Sequence, residues 1–183
     1  MTQITWISQI PNTPLDTLWV AVTETGLAAI AFCQSQADFT DWLTRHGRQP
    51  IVYDEERTSQ ACQQLREYLA GTRAAFDLPL DLSLMNAFQA QVLQATLAIP
   101  YGSTSTYSAL AEQIGRPRAA RAIGRAEATN PLPLVIPCHR VVGKDGNLRG
   151  YGSPKGIEHK AWLLELERQN RPTPSPDYPE SEW

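Results

Sequence analysis

Three hydrophobic rhythms follow one another along the chain. In the first eighty residues the run LWVAVTETGLAAIAFC is almost continuously apolar on both sides of Thr25-Gly26. That pattern predicts two strands joined by a tight turn. Two stretches with helical spacing follow, at residues 37–46 and 58–70, the second closed by Gly71. The Asp54-Glu55-Glu56 run reads as a solvated helix start rather than a metal site, because acids are favoured in a first turn. These elements describe a small α/β unit, residues 1–80, with no cluster of reactive side chains and a supporting role.

From Leu80 the rhythm turns helical. Asn86 is an N-cap for FQAQVLQATLAI, which puts Phe88, Val92 and Leu93 on one face until Pro100-Tyr101-Gly102 breaks it. Thr106 caps YSALAEQI, which stops at Gly115, and Pro117 suits the first turn of RAARAIGRAEA. Two short helices about a Gly-containing turn predict a helix-turn-helix. The apolar run PLPLVIP then leads into Cys138-His139-Arg140, and Val141-Val142 with GKDGN resembles a hairpin or wing. A last amphipathic helix, Ile157–Gln169, turns Trp162, Leu163 and Leu166 inward. Residues 81–171 thus form a second unit. The Pro-rich, acidic tail 172–183 is expected to be disordered.

Charge changes this picture only after it is divided. The formal net charge is −3, yet residues 1–80 carry 5 Lys+Arg against 9 acids, and residues 81–171 carry 11 against 7. The tail has 3 acids and no base. The basic excess therefore sits in the helix-turn-helix half, where a phosphate backbone would lie. No stretch approaches the roughly 18 apolar residues of a membrane span, and the start MTQITWISQI lacks the flank and core of a secretory signal. Cys33, Cys62 and Cys138 have no paired spacing. That argues against disulfides and a zinc cluster, and for a reducing, cytoplasmic setting.

The third helix is unusually bare: Ala119, Ala120, Ala122, Gly124 and Ala126 surround one large anchor, Ile123. Such a surface admits close approach of another backbone, either a DNA groove or a neighbouring helix. Arg121 stands among these small residues, either as a plain surface arginine or to fill the space of an extruded base. Cys138 beside His139 offers a thiol next to a base, although consecutive side chains seldom face each other and a turn or bridging water would be needed. A carboxylate must then hold the imidazole tautomer, and Glu158, Glu165 and Glu167 are all on the last helix. Alone, a Cys-His dipeptide fits a structural role as well.

The run NPLPLVIPCHRVVGKDGNLRGYG, with FQAQVLQATLAIPYGSTSTYSALAEQIGRPRAARAIG upstream and WLLELE downstream, strongly resembles methylated-DNA–protein-cysteine methyltransferases, the O6-alkylguanine-DNA alkyltransferases. The resemblance covers about residues 88–167; the N-terminal half is similar in layout only. It implies an α/β protein: a ribonuclease-H-like N-terminal sheet followed by a winged helix-turn-helix that carries the active site. It implies that Cys138 accepts the alkyl group, His139 activates it through water and Glu167 orients His139. Asn130 would tie the DNA-reading helix to the cysteine loop. Tyr107 would help rotate the nucleotide out and Arg121 would fill the gap. Pro133 and Tyr151 would line the guanine pocket, and Arg140 would support the nucleophile.

The implied reaction is DNA repair by direct reversal, a single-turnover transfer that needs no metal or other cofactor. The implied partner is double-stranded DNA carrying O6-alkylguanine, approached through the minor groove by a monomer. One segment departs from the family: Gly150-Tyr151-Gly152-Ser153-Pro154-Lys155-Gly156 is about two residues longer than usual, which leaves open whether Gly152 or Ser153 donates to the lesion oxygen. Three rivals remain. A non-repairing sensor of the same fold would lack the acceptor cysteine, a winged-helix regulator would leave Pro-Cys-His-Arg without a purpose, and a thiol hydrolase would turn over repeatedly.

Overall fold

A computed structural model describes residues 3–32 and 35–171. Cys33 and the acidic tail lie outside the described residues. The first half is built on a four-stranded sheet. Strands β1 (Thr5–Thr13), β2 (Asp16–Thr23) and β3 (Gly26–Phe32) are antiparallel neighbours, and β4 (Ile51–Tyr53) adds beside β1 in parallel, giving the order β3-β2-β1-β4. The expected β2–β3 hairpin forms, with Gly26 at φ 144°. A Cβ at Gly26 would lie 2.2 Å from the Pro79 carbonyl oxygen, so only glycine lets the linker pass. The strands β1 and β4 were not foreseen: Pro11 and Asn12 interrupt the alternation of one, and the other is three residues long.

Helix α1 (Gln36–Arg45) starts with a capping box between Ser35 and Asp38, and α2 (Glu55–Leu69) is capped by Asp54. Leu65, Tyr68 and Leu69 recur at i, i+3 and i+4 on the buried face of α2, which packs on β1 and β2. The buried Arg48–Asp81 ion pair, 2.9 Å, together with the Thr23 and Ser83 hydroxyls on the same carboxylate, ties the linker to the sheet.

In the second half, α3 (Ala87–Leu97) and α4 (Tyr107–Gln113) begin at the expected caps, Asn86 and Thr106, whose side chains accept the Gln89 and Ala109 amide protons. Helix α5 (Ala120–Ala128) starts later than expected. Pro117 lies in the turn before it rather than in its first turn, and Ala119 occupies the cap position without a side-chain hydrogen bond. A one-turn 3₁₀ helix (Cys138–Arg140) precedes β6 (Val141–Val142). The hairpin expected there does not form. β6 pairs in parallel with β5 (Ser105–Thr106), and GKDGN closes a turn that no return strand follows. Helix α6 (Ile157–Gln169) buries Leu163, with Trp162 half-buried beside it.

The two halves share one core. Leu18, Val20, Leu65 and Tyr68 cluster with Leu93, Leu132, Leu134, Ile136 and Leu163. Each such fully buried aliphatic side chain contributes about 1.5–3 kcal/mol. The Ile30 amide donates to the Pro131 carbonyl at 2.8 Å, pinning β3 against the segment that leads to Cys138.

Candidate active site

The segment 130–137 holds Cys138 by a set of local bonds. Asn130 accepts the Leu132 amide and donates to the Ile136 carbonyl, both at 2.9 Å, which folds the apolar run back on the end of α5. Leu134 sits at φ 74° while almost fully buried. That left-handed conformation costs a branched side chain on the order of 1–2 kcal/mol, held by the packing around it. The Cys138 amide closes the turn onto Ile136 O at 2.8 Å.

Cys138 is 6% exposed. Burial pushes its thiol up to about 12, Glu127 adds to that, and a hydrogen bond from Asn130 and the Lys160 charge oppose it. The resting sulfur is therefore a thiol and needs a base. The adjacent His139 is fully buried. Its Nε2 lies 2.9 Å from Glu167 Oε1 and 3.1 Å from the Tyr68 hydroxyl, whose proton goes to Glu167 at 2.5 Å. Both neighbours of Nε2 are thus acceptors, so Nε2 carries the ring proton. Nδ1 is left as a bare, buried lone pair with no protein partner. Burial, with the Arg140 and Lys160 charges, lowers the imidazole below its ordinary range against the raising by Glu167, so the ring is neutral near pH 7. This is the state a general base requires.

Glu167 is the anchor of the site. Arg140 donates to it through Nε and Nη2 (2.8–3.1 Å), and the Gly102 amide donates at 3.0 Å. Burial raises a carboxyl, but hydrogen bonds from His139 and Arg140 together with their charge outweigh it and hold Glu167 at about 2. Arg140 also donates to the Ile99 carbonyl. Of the three glutamates on the last helix, Glu158 and Glu165 face solvent, and Glu165 pairs with Arg168. Only Glu167 reaches His139.

Cavities meet at the sulfur. A 550 Å³ groove along α5 is lined by Tyr107, Arg121, Gly124, Arg149 and Gly152. A narrow passage of about 20 Å³, flanked by Tyr107, Gly124, Tyr151 and Gly152, leads from the same surface to Cys138. Behind it a 340 Å³ cavity includes Pro133, Cys138, Tyr151 and Gly152 and reaches the Phe32 side of the sheet. The Tyr151 ring stands edge-on to His139, with centroids 6.4 Å apart. Gly152 lines all three spaces, whereas the buried Ser153 hydroxyl sits 3.0 Å from His159 Nδ1 and lines none. The longer loop is thus stapled to α6 through Ser153.

The family model for the 6-O-methylguanine DNA methyltransferase DNA-binding domain matches residues 87–169, and that for the ribonuclease-like domain of the same methyltransferase matches residues 8–82. The chain belongs to the 6-O-methylguanine DNA methyltransferase family. Its members include the constitutive methylated-DNA–protein-cysteine methyltransferase of Bacillus subtilis, 41% identical over 162 residues, which cover 86% of this chain and 92% of that protein. The Methanosarcina barkeri methylated-DNA–protein-cysteine methyltransferase is 37% identical over 88% of this chain and 96% of its own. The crystal structure of Mycobacterium tuberculosis OGT in complex with DNA superposes with a TM-score of 0.77 at 37% identity, covering 92% of this chain and 95% of that one. The two-domain arrangement of the family accounts for the sheet and the helix-turn-helix alike.

Sequence reasoning missed Tyr68 and the Gly102 amide. Tyr68 occupies a core-facing position of α2, so nothing in the sequence separates it from an ordinary packing aromatic. It also missed two buried charges beside Cys138. Lys160, 1% exposed, donates to Val141 O at 2.7 Å, and Glu127 binds the Thr96 hydroxyl. Among the described residues no His, Cys, Asp and Glu group has the makings of a metal site.

Proposed function

We propose that the chain repairs O6-alkylguanine in double-stranded DNA by moving the alkyl group irreversibly onto Cys138. The observation that carries this reading is the proton arrangement at His139: Nε2 is committed to Glu167, Nδ1 is buried without a protein partner, and the residue before it in the same 3₁₀ turn is Cys138, which lines a passage from the α5 surface. One water between Nδ1 and the sulfur completes the relay. The thiol proton passes to His139, the thiolate attacks the alkyl carbon in line, and guanine O6 leaves with the C–O electron pair. A thioether remains, and no group in the site reverses it, so each molecule acts once.

Residues 81–171 would carry DNA binding and chemistry, with residues 1–80 in support. The lesion must leave the base stack, at a cost of a few kcal/mol. α5 would enter the minor groove with its small residues against the backbone, and Arg121 would occupy the vacated stack. Tyr107 and the Gly152 amide would donate to the departing base, stabilising its charge. Pro133 and Tyr151 would flank the guanine. Minor-groove contact reads bases poorly, so sequence preference would be weak. The protein would act as a monomer in the cytoplasm.

The test is to mix the protein with an O6-methylguanine duplex under reducing conditions and digest it. One methyl group is expected on the Cys138 peptide, with product equal to protein added. Cys138→Ala is expected to bind the duplex and transfer nothing. Product far in excess of protein, or an unmodified Cys138, would overturn the reading.

A further inference from the structure

Glu127 has no part in the mechanism above, yet it is the carboxylate that shares cavities with the reacting sulfur. It lines both the narrow passage and the larger cavity that Cys138 lines. It is the penultimate residue of α5, where the negative end of the helix opposes a carboxylate. It is 6% exposed; one oxygen takes the Thr96 hydroxyl, and Oε2 is buried with no partner. No ion pair to it is found among the described residues, because the nearby Lys160 ammonium is directed to the Val141 carbonyl. A buried, half-satisfied carboxylate is expensive, and a position that keeps one beside a nucleophile is a functional candidate.

We propose that Glu127 is a positioning residue that acts as a pH-dependent brake on Cys138: as a neutral acid it lets the sulfur ionise, and as a carboxylate it opposes the thiolate. The inference rests on the alkyl-transfer reading and adds a regulation to the same site. The groups facing Glu127 are Lys160 from α6, Cys138 from the 3₁₀ turn, Tyr107 from α4 and the Thr96 hydroxyl from α3, with Tyr151 on the shared cavity wall. Burial raises the Glu127 carboxyl to about 7, against the lowering by Thr96 and Lys160. The brake therefore engages across neutral pH. Lys160 carries the opposite charge and favours the thiolate, so the two buried charges act on the sulfur with opposite signs.

The experiment follows single-turnover methyl transfer by the full chain and by Glu127→Gln between pH 5.5 and 8.5. The 240 nm thiolate band is titrated in parallel from pH 8.5 to 11.5, referenced to Cys138→Ser, because a thiol held at about 12 ionises only in that range. The variant-to-wild-type rate ratio is expected near one at pH 5.5 and on the order of tenfold by pH 8.5, corresponding to about one pKa unit at the thiol. Thr96→Val removes the hydroxyl that favours the carboxylate, and it should move the onset of braking to higher pH without a Glu127 substitution. A ratio that is flat with pH, or a Gln variant uniformly slower with an unmoved thiolate band, overturns the proposal. If no protein transfers methyl at any pH while the thiolate band moves as expected, the alkyl-transfer reading fails and the brake stands.

Discussion

The Tyr68 hydroxyl on α2 donates to Glu167 on α6 at 2.5 Å and sits 3.1 Å from His139 Nε2, so a side chain of the N-terminal sheet domain stands beside the protonated nitrogen of the candidate base. The support that the N-terminal half gives thus reaches the site itself. Its α2 fixes one of the two acceptors that keep the ring proton on Nε2.

Removing that hydroxyl is a mild test, because Glu167 keeps Arg140, His139 and Gly102. Tyr68→Phe is expected to slow transfer roughly three- to tenfold, in keeping with about 1 kcal/mol for one net hydrogen bond. DNA affinity should not change. Single-turnover rates with a binding titration on the same duplex decide it, and a variant weakened in binding alone would place Tyr68 outside the relay.

Glu167 should dominate acid stability. Its folded pKa, about 2, lies below the ordinary 4.5, so its contribution is present above pH 4.5 and is lost as pH falls from 4.5 through 2. The 2.5-unit gap corresponds to about 3 kcal/mol. Glu167→Gln should flatten that part of the stability profile and cost about 3–5 kcal/mol at neutral pH, since Arg140 would stay buried without its counter-charge. Transfer should fall by about two to four orders of magnitude as the imidazole loses its fixed tautomer. Denaturant titrations at pH 3, 4 and 6 check the first claim, and a profile as steep in the variant as in the wild type rejects it.

Glu127 should behave in the opposite sense. Its folded pKa, about 7, is raised above 4.5, so the folded protein is progressively penalised as pH rises from 4.5 to 7. Glu127→Gln should gain on the wild type across that window, by up to about 3 kcal/mol, and hold the gain above it. Urea midpoints from pH 4 to 8 read this directly. A constant difference between the two proteins would mean that the carboxylate finds a charge partner in the fold.

Much of this was legible in the sequence where the signal is local. Asn86 and Thr106 cap the helices they precede, because an N-cap needs only its own next three residues. Cys138, His139 and Glu167 stood out by resemblance, and the fold brings His139 and Glu167 to 2.9 Å. What stayed hidden depends on partners far along the chain. Val141-Val142 looked like a hairpin strand, yet its pairing partner is Ser105-Thr106, more than thirty residues earlier. Pro117 suits a first helical turn, but α5 begins three residues later, after a turn closed by the Ala119 amide on the Arg116 carbonyl. Lys160 and Glu127 sit in helices where charged residues ordinarily face water, and only tertiary packing makes them interior.

Arg121 allows a test that separates base extrusion from chemistry. It is exposed on α5 beside Gly124, and it lines the groove with Arg149 and Lys144, so its guanidinium is free to enter DNA. If it fills the stack that the lesion vacates, its loss should matter in proportion to the cost of extrusion, which is lower for a poorly paired base. Arg121→Ala is therefore expected to slow transfer by at least an order of magnitude on a fully paired O6-methylguanine duplex, and far less when the opposite nucleotide is abasic. Transfer from the free O6-methylguanine base, which needs no extrusion, should be unaffected. If Arg121 were only one more phosphate contact, its removal would weaken binding equally on both duplexes and lower the salt dependence by about one unit of slope. Rates on the two duplexes and on the free base, with affinities measured at two salt concentrations, distinguish these outcomes.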